Sequence, residues 1–179
     1  MKLVLIGYRA TGKTTIARLL AERLGWEWLD ADDAIEQRAG KSIAEIFAED
    51  GEPVFRDIEA RVIADLCRRD RLILATGGGA PMRPESRRAM RENSTVVWLT
   101  ARPETILERI AGDDTTAARR PNLTDRSPLD EIVQLLQQRN PIYGQSAHLT
   151  VDTEGKTPQQ LAGEILDRLP SISEDGNSA

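Results

Sequence analysis

The residues best suited to chemistry form a glycine loop near the start of this 179-residue chain. Residues 7–14 read G-Y-R-A-T-G-K-T, which has the spacing G-x-x-x-x-G-K-T; they follow the apolar run 3–6 and open a helical pattern. Glycines let the backbone turn tightly, so that successive N–H groups point into one concavity and hold phosphate oxygens. A chance match in a glycine turn is the alternative, but the motif and its context agree. The loop therefore predicts nucleotide binding.

The parts of this loop have separate expected tasks. Lys13 should reach the β- and γ-phosphates as a point charge, and the hydroxyl of Thr14 is placed to ligate Mg²⁺. The positive end of the following helix dipole adds to the attraction for phosphate. We expect the loop to bind the nucleotide through Gly7, Ala10, Thr11, Gly12, Lys13, Thr14 and Thr15.

Composition narrows the class of protein. Hydrophobic residues make up 40% and charged residues 30% of the chain, which is typical of a globular domain. A formal net charge of -5 does not favour nucleic acid as a partner. We find no secretory signal and no apolar run long enough to cross a membrane, so we expect a cytoplasmic protein, and a monomer. The single cysteine, Cys67, lies in a helical pattern and is expected to be a buried, unreactive thiol.

Apolar runs alternate with helical patterns along the chain. This alternation predicts an α/β domain whose mostly parallel sheet is covered on both faces. The predicted strands are 3–6, 26–29, 72–75, 95–99 and 147–151. The pattern predicts one domain over 1–170 and a disordered tail over 171–179.

A polar stretch interrupts the periodicity around residues 112–122. Loops of this length in a compact domain are usually functional, so we expect a mobile lid at about 111–124. The stretch contains Arg119 and Arg120. A mobile arginine can close over a transferring phosphoryl group and neutralise its charge, whereas a simple solvated charge is the alternative.

Polar or glycine residues follow two predicted strands at the edge where open parallel sheets bind ligands. Asp30 and Asp32 follow one strand and could serve a metal and a substrate hydroxyl; the alternative is helix N-capping, and Asp32 or Asp33 could do only that. Gly77, Gly78 and Gly79 follow another, and they would let the backbone approach a ligand closely or would form only a tight turn.

Basic residues outside the loop could have structural rather than functional roles. Arg56 shares a polar helix face with Glu59, and such surface pairs are common and weak. Arg139 is followed by Pro141, where a cation at a helix end would meet the dipole favourably. We interpret His148, the one histidine, as structural.

Together these features suggest phosphoryl transfer to a small acceptor. The chain has no N-K-x-D motif of the kind that GTPases use, and strand 72–75 ends in T-G-G-G rather than in the acid expected of a motor or transport ATPase.

Several motifs, in order, resemble those of the shikimate kinases over nearly the whole chain. They are G-x-x-x-x-G-K-T, L-D-A-D at 29–32, the segment 42–59, G-G-G-A at 77–80, R-P at 120–121 and R-N-P-I-Y at 139–143. The resemblance implies a three-layer α/β/α fold of the P-loop kinase type with a five-stranded parallel sheet. It implies transfer of the γ-phosphate of ATP to the 3-hydroxyl of shikimate, with Mg²⁺.

The resemblance also implies roles for individual residues. Thr14 would bind Mg²⁺ and Asp30 would support it through water, while Asp32 would bind a shikimate hydroxyl and receive its proton. The shikimate carboxylate would lie between Arg56 and Arg139, since two planar guanidinium groups suit that anion. The remaining implied positions are Gly77, Gly78 and Gly79 beside the substrate, Arg120 on the phosphates, Arg109 near the adenine and Lys156 on the nucleotide side.

The chain departs from the family pattern in its longer lid, in Asn122 after the Arg-Pro pair, and in the charge that Tyr8-Arg9 adds to the loop. Two alternatives stay open: another small-molecule kinase, such as a gluconate or nucleoside monophosphate kinase, and a non-catalytic nucleotide-binding regulator.

Overall fold

Five parallel strands form one sheet in the order β2-β3-β1-β4-β5. The structure, a computed structural model, describes residues 1–112 and 127–169; Arg119, Arg120, Asn122 and the predicted tail lie outside the described residues. The strands are β1 Lys2–Ile6, β2 Glu27–Asp30, β3 Leu72–Ala75, β4 Ser94–Thr100 and β5 Leu149–Asp152. All four neighbouring pairs are parallel, so the carboxyl ends of the strands meet at one edge.

Helices cover both faces of this sheet. In the described residues they are α1 Lys13–Leu24, α2 Ala31–Ala39, α3 Ile43–Glu49, α4 Gly51–Leu66, α5 Pro84–Arg91, α6 Pro103–Ala111, α7 Pro128–Ser146 and α8 Pro158–Arg168. A short 3-10 turn, Ala80–Met82, precedes α5. This arrangement confirms the predicted fold.

Alternate side chains of β1 build the two halves of the core, because successive residues of a strand point to opposite faces. Leu3 and Leu5 pack in a cluster with residues of α1 and α8. Val4 and Ile6 pack in another cluster with residues of α4, α5 and α7. Residues 3–6 of the central strand are therefore apolar on both faces of the sheet, and polar groups can follow only at its carboxyl end.

Two predicted boundaries are wrong. The residues G-E-P at 51–53 are typical of a helix break and predict that the next helix begins at Val54, but α4 begins at Gly51 itself, with φ of 83° there, and Pro53 lies in its first turn. Proline is tolerated in a first turn because the N–H it lacks would have no helical partner there. The second case is α7, which continues through Pro141 to Ser146. Arg139 consequently lies inside a helix and not at its end.

His148 joins the last two strands, as its structural interpretation predicted. The imidazole Nδ1 accepts a hydrogen bond from the Val96 backbone N–H at 3.0 Å, and the His148 backbone N–H donates to the Val96 carbonyl at 2.8 Å. Partial burial and the charge of Arg91 lower the pKa of the imidazole, which favours the neutral form that can accept this bond.

The thiol of Cys67 should react slowly in the folded protein. The residue is 7% exposed, and burial raises its pKa to about 11. Because the thiolate is the nucleophile, we expect alkylation by iodoacetamide at pH 8 to be about a hundredfold slower in the native protein than in urea. Mass spectrometry of timed samples measures both rates, and equal rates would contradict a buried thiol.

None of the helices within 1–112 and 127–169 combines the length and apolar character that a membrane span requires.

Candidate active site

The site lies where β1, β2 and β3 end. Asp30, the last residue of β2, is paired in register with Ala75, the last residue of β3. Asp32 and Gly77 therefore both lie two residues beyond the same edge of the sheet. The glycine loop leaves the neighbouring strand β1 at this edge, so the aspartates, the glycine triplet and the loop converge.

Backbone geometry explains the glycines of the loop. Gly7 has φ of 139°, and a Cβ there would lie 2.4 Å from the carbonyl oxygen of Leu99. Gly12 has φ of 91°, and Ala10, with φ of 61°, also adopts a left-handed conformation. Side chains cannot be accommodated at Gly7 without displacing β4, so glycine is required there.

Lys13 is held within the loop that it follows. Its Nζ donates hydrogen bonds to the carbonyl oxygens of Gly7 at 3.0 Å and Tyr8 at 2.7 Å, and the residue is 9% exposed. The hydroxyl of Thr11 also donates to the Tyr8 carbonyl, at 2.9 Å. These bonds place one ammonium group at the concave side of the loop, and Thr15 is exposed on the first turn of α1.

Thr14 and Asp30, the two residues expected at the metal, are joined by a hydrogen bond. The Thr14 hydroxyl donates to Oδ2 of Asp30 at 2.7 Å. Oδ1 of Asp30 accepts from the Asp32 backbone N–H at 2.9 Å and so caps α2. The cap of α2 is therefore Asp30, and not Asp32 or Asp33 as the capping alternative expected. Burial, opposed by the Thr14 hydrogen bond, raises the pKa of the Asp30 carboxyl. A hydroxyl and a carboxylate are hard oxygen donors that suit Mg²⁺.

Two guanidinium groups from different helices flank the glycine triplet. A Cβ on Gly79 would lie 2.3 Å from Nη1 of Arg56, which comes from α4. A Cβ on Gly78 would lie 3.5 Å from Nη1 of Arg139, which comes from α7, and 3.4 Å from the carbonyl oxygen of Gly7. The nucleotide loop and both arginines therefore meet at one corner, which we call the glycine corner (77–79).

Arg56 and Glu59 do not form the weak, exposed ion pair that their spacing on the helix would permit. Nη1 of Arg56 donates to the Glu59 carboxylate at 2.7 Å, and the Glu59 side chain is only 3% exposed. Its Nε and Nη2 donate to Glu52 at 3.2 and 3.1 Å. Burial alone lowers the pKa of Arg56, but the charge of Glu59 and these hydrogen bonds outweigh it and raise the pKa. Two carboxylates therefore fix the guanidinium beside Gly79.

Of the other residues predicted to bind the nucleotide, Arg109 contacts the glycine loop and Lys156 does not in the part of the chain that the structure describes. Nη1 of Arg109 donates to the Ala10 carbonyl at 3.3 Å and to the Thr153 hydroxyl at 3.1 Å, which brings this arginine against the loop. Lys156 is exposed and donates to Glu164 at 2.7 Å, so no described contact links it to the loop. Arg120 lies outside the described residues.

Sequence reasoning missed two tyrosines. The hydroxyl of Tyr143 donates to the Gly78 carbonyl, and the ring of Tyr8 lies 5.7 Å from Cζ of Arg139. Tyr143 belongs to the R-N-P-I-Y motif and lies four residues after Arg139 on α7, so helical spacing places both on one face. That spacing was the available signal. Nothing in the sequence indicates which way Tyr8 turns.

A substitution at Gly79 should disturb the acceptor side alone. Gly79→Ala would place a methyl group where Nη1 of Arg56 lies, so the guanidinium must move. Small displacements of a group that positions a substrate can weaken binding strongly. We therefore expect the KM for the acceptor to rise about tenfold while the KM for ATP stays unchanged. Steady-state kinetics measures both.

The matched control is Gly144→Ala on α7, whose added Cβ would lie 3.8 Å from Trp98 in ordinary contact. It should leave both KM values unchanged and raise helix stability by up to about 1 kcal/mol. An unchanged acceptor KM in Gly79→Ala would show that Arg56 does not bind the acceptor from this position.

The five-stranded parallel sheet and the glycine loop together define a P-loop kinase. The family model for shikimate kinase matches residues 9–170 of the sequence. The chain belongs to the shikimate kinase family. It is an ATP-dependent kinase of a small molecule, which confirms the prediction made from its motifs.

Individual relatives agree over nearly the full length. The shikimate kinase of Rhodopirellula baltica is 44% identical over 169 residues, which cover 94% of this chain and 90% of the relative. That of Symbiobacterium thermophilum is 42% identical over 98% of this chain and 100% of the relative. A solved structure of shikimate kinase from Acinetobacter baumannii in complex with shikimate superposes with a TM-score of 0.86 at 37% identity, covering 93% of this chain and 90% of that one.

Proposed function

We propose that this chain transfers the γ-phosphoryl group of ATP to the 3-hydroxyl of shikimate at the glycine corner. One observation carries the proposal: the guanidinium groups of Arg56 and Arg139 reach this corner from separate helices, and the corner adjoins the glycine loop. A small acid held there would lie next to a triphosphate held by the loop.

The two arginines fit a carboxylate acceptor. A guanidinium presents a planar fork of donors that binds a carboxylate through two parallel hydrogen bonds. Arg56 already donates to Glu59 and Glu52, which cancel much of its charge but fix its orientation. On this proposal, Arg56 directs the carboxylate and Arg139 supplies most of the net attraction. Gly77, Gly78 and Gly79 lack side chains, which lets the ring of the acceptor approach the backbone.

Loop residues position the phosphates and stabilise the charge that develops during transfer. In phosphoryl transfer the protein contributes mainly by positioning and electrostatics. The ammonium of Lys13 meets the β- and γ-phosphates, the backbone from Gly7 to Thr14 holds their oxygens, and Arg120 neutralises the transferring group. Thr14 and Asp30 would hold Mg²⁺, which would supply further neutralisation of the phosphate charge.

Asp32 completes the proposal as the group that orients the 3-hydroxyl and receives its proton. It stands in the first turn of α2, directly after the Asp30 cap, and is partly buried. A carboxylate within hydrogen-bond reach of the nucleophile can take the proton as the bond to phosphorus forms. Arg109 is proposed to lie near the adenine, and Lys156 further out on the nucleotide side.

An acceptor screen tests this function. The pure protein would be assayed with MgATP and, separately, shikimate, gluconate and nucleoside monophosphates, with ADP release as the measurement. We expect turnover with shikimate and only background with the others. Turnover on gluconate but not shikimate would establish the first alternative, and tight ATP binding with no phosphorylated acceptor would establish the regulator.

A further inference from the structure

Tyr8 is the one aromatic side chain of the glycine loop, and its ring is turned into the protein. The residue is 2% exposed and packs in an apolar cluster with Ile106 of α6 and with Ile132 and Leu136 of α7. Phosphate binding by the loop uses backbone N–H groups, so it does not account for a large buried ring at this position.

The backbone of Tyr8 contacts the loop residues that we assign to nucleotide binding. Its carbonyl oxygen accepts hydrogen bonds from Nζ of Lys13 at 2.7 Å and from the hydroxyl of Thr11 at 2.9 Å. The position of the Tyr8 main chain is therefore tied to the ammonium group that we assign to the phosphates.

The ring of Tyr8 lies next to Arg139, which we assign to acceptor binding. Cζ of Arg139 lies 5.7 Å from the ring centroid, within the distance at which a cation is attracted to an aromatic face. Nη1 of the same guanidinium lies beside Gly78. Arg139 thus has the Tyr8 ring on one side and the glycine corner on the other. Arg9 makes a second such contact, with its Cζ 5.9 Å from the centroid.

We infer that Tyr8 is a positioning residue for the acceptor: its buried ring holds the Arg139 guanidinium beside Gly78, and its main chain fixes Lys13. The inference rests on the proposed function, in which Arg139 binds the acceptor carboxylate. It adds a direct physical connection between the phosphate loop and the acceptor clamp, made by one residue. Tyr8 touches neither the phosphates nor the acceptor through its side chain and acts through Arg139.

The first test compares two substitutions of Tyr8. Tyr8→Leu fills the cluster with an apolar side chain but has no aromatic face, so the KM for shikimate should rise about three- to tenfold with little change in the KM for ATP. Tyr8→Phe keeps the face and should restore a KM for shikimate near that of the wild type. Steady-state kinetics with each substrate varied in turn gives these values.

A matched control separates positioning from stability. Ile106→Val removes a methyl group from the same apolar cluster, at a position on α6 rather than on the glycine loop or on α7. It should lower the melting temperature without changing the KM for shikimate. If Tyr8→Leu and Ile106→Val change that KM equally, or if Tyr8→Phe fails to restore it, the inference is overturned.

A double-mutant cycle gives the sharpest test, because a residue that acts only through another loses its effect when the other is removed. Shikimate affinity would be measured by calorimetry in the wild type, Tyr8→Leu, Arg139→Ala and the double variant. In the Arg139→Ala background, Tyr8→Leu should no longer weaken binding. Additive losses would overturn the inference. Failure of the proposed function is a separate result, because it would appear as a wild type that does not phosphorylate shikimate.

Discussion

Replacing Arg139 with alanine should weaken shikimate binding about a hundredfold and leave ATP binding within about twofold of the wild type. Arg139 reaches the glycine corner from α7, and within residues 1–112 and 127–169 it forms no ion pair with an acidic side chain. In the proposed function its full charge is available to an acceptor anion, whereas that of Arg56 is shared with Glu59 and Glu52.

Calorimetric titration with shikimate, and separately with an unreactive ATP analogue, measures the two affinities for Arg139→Ala. Arg88→Ala is a suitable control, since Arg88 is an exposed arginine on α5, away from the carboxyl edge of the sheet. The control should leave both affinities unchanged. Equal loss of shikimate and nucleotide binding in Arg139→Ala would count against its assignment to the acceptor.

Replacing Lys13 with alanine should lower kcat about a thousandfold. A preorganised cation acts most strongly where water is excluded, and Lys13 is buried and held by two loop carbonyls. Its charge is needed most when negative charge shifts between the phosphates during transfer, so kcat should fall far more than ATP affinity.

A coupled assay of ADP release at saturating substrates measures kcat for Lys13→Ala. Arg23→Ala provides the comparison, because Arg23 is an exposed basic residue in the last turn of the same helix, where its Nη2 donates to the Gln159 carbonyl at 3.2 Å. It should retain kcat within about twofold of the wild type. A kcat of Lys13→Ala within about tenfold of the wild type would contradict the proposed role of the Lys13 ammonium in phosphoryl transfer.

Local sequence signals predicted those parts of the fold that depend on neighbouring residues. The spacing S-x-x-E at 42–45 predicts a capping box, and it forms: the Ser42 hydroxyl accepts from the Glu45 N–H at 3.2 Å, and the Glu45 carboxylate accepts from the Ser42 N–H at 2.7 Å. The position of Pro103 predicts the first residue of a helix, and Pro103 opens α6. These features are fixed within one helical turn, so their spacing is sufficient to predict them.

Long-range contacts could not be predicted from spacing. Arg56 and Glu59 were visible as neighbours on a helix face, but only the packed fold shows that Glu59 is buried and that Arg56 lies beside Gly79. The Tyr8–Arg139 contact joins residues 131 positions apart, and neither side chain carries a signal for the other. The helix that continues through Pro141 is a similar case, because packing of Tyr143 into the core stabilises a turn that proline disfavours.

A crystal structure of this protein with shikimate and MgADP would test the central assignment most directly. The account predicts that the shikimate carboxylate lies within about 3 Å of guanidinium nitrogens of both Arg56 and Arg139, with the 3-hydroxyl facing Asp32 and the glycine loop. Shikimate bound with its carboxylate away from these two arginines, or with another hydroxyl directed at the loop, would contradict it.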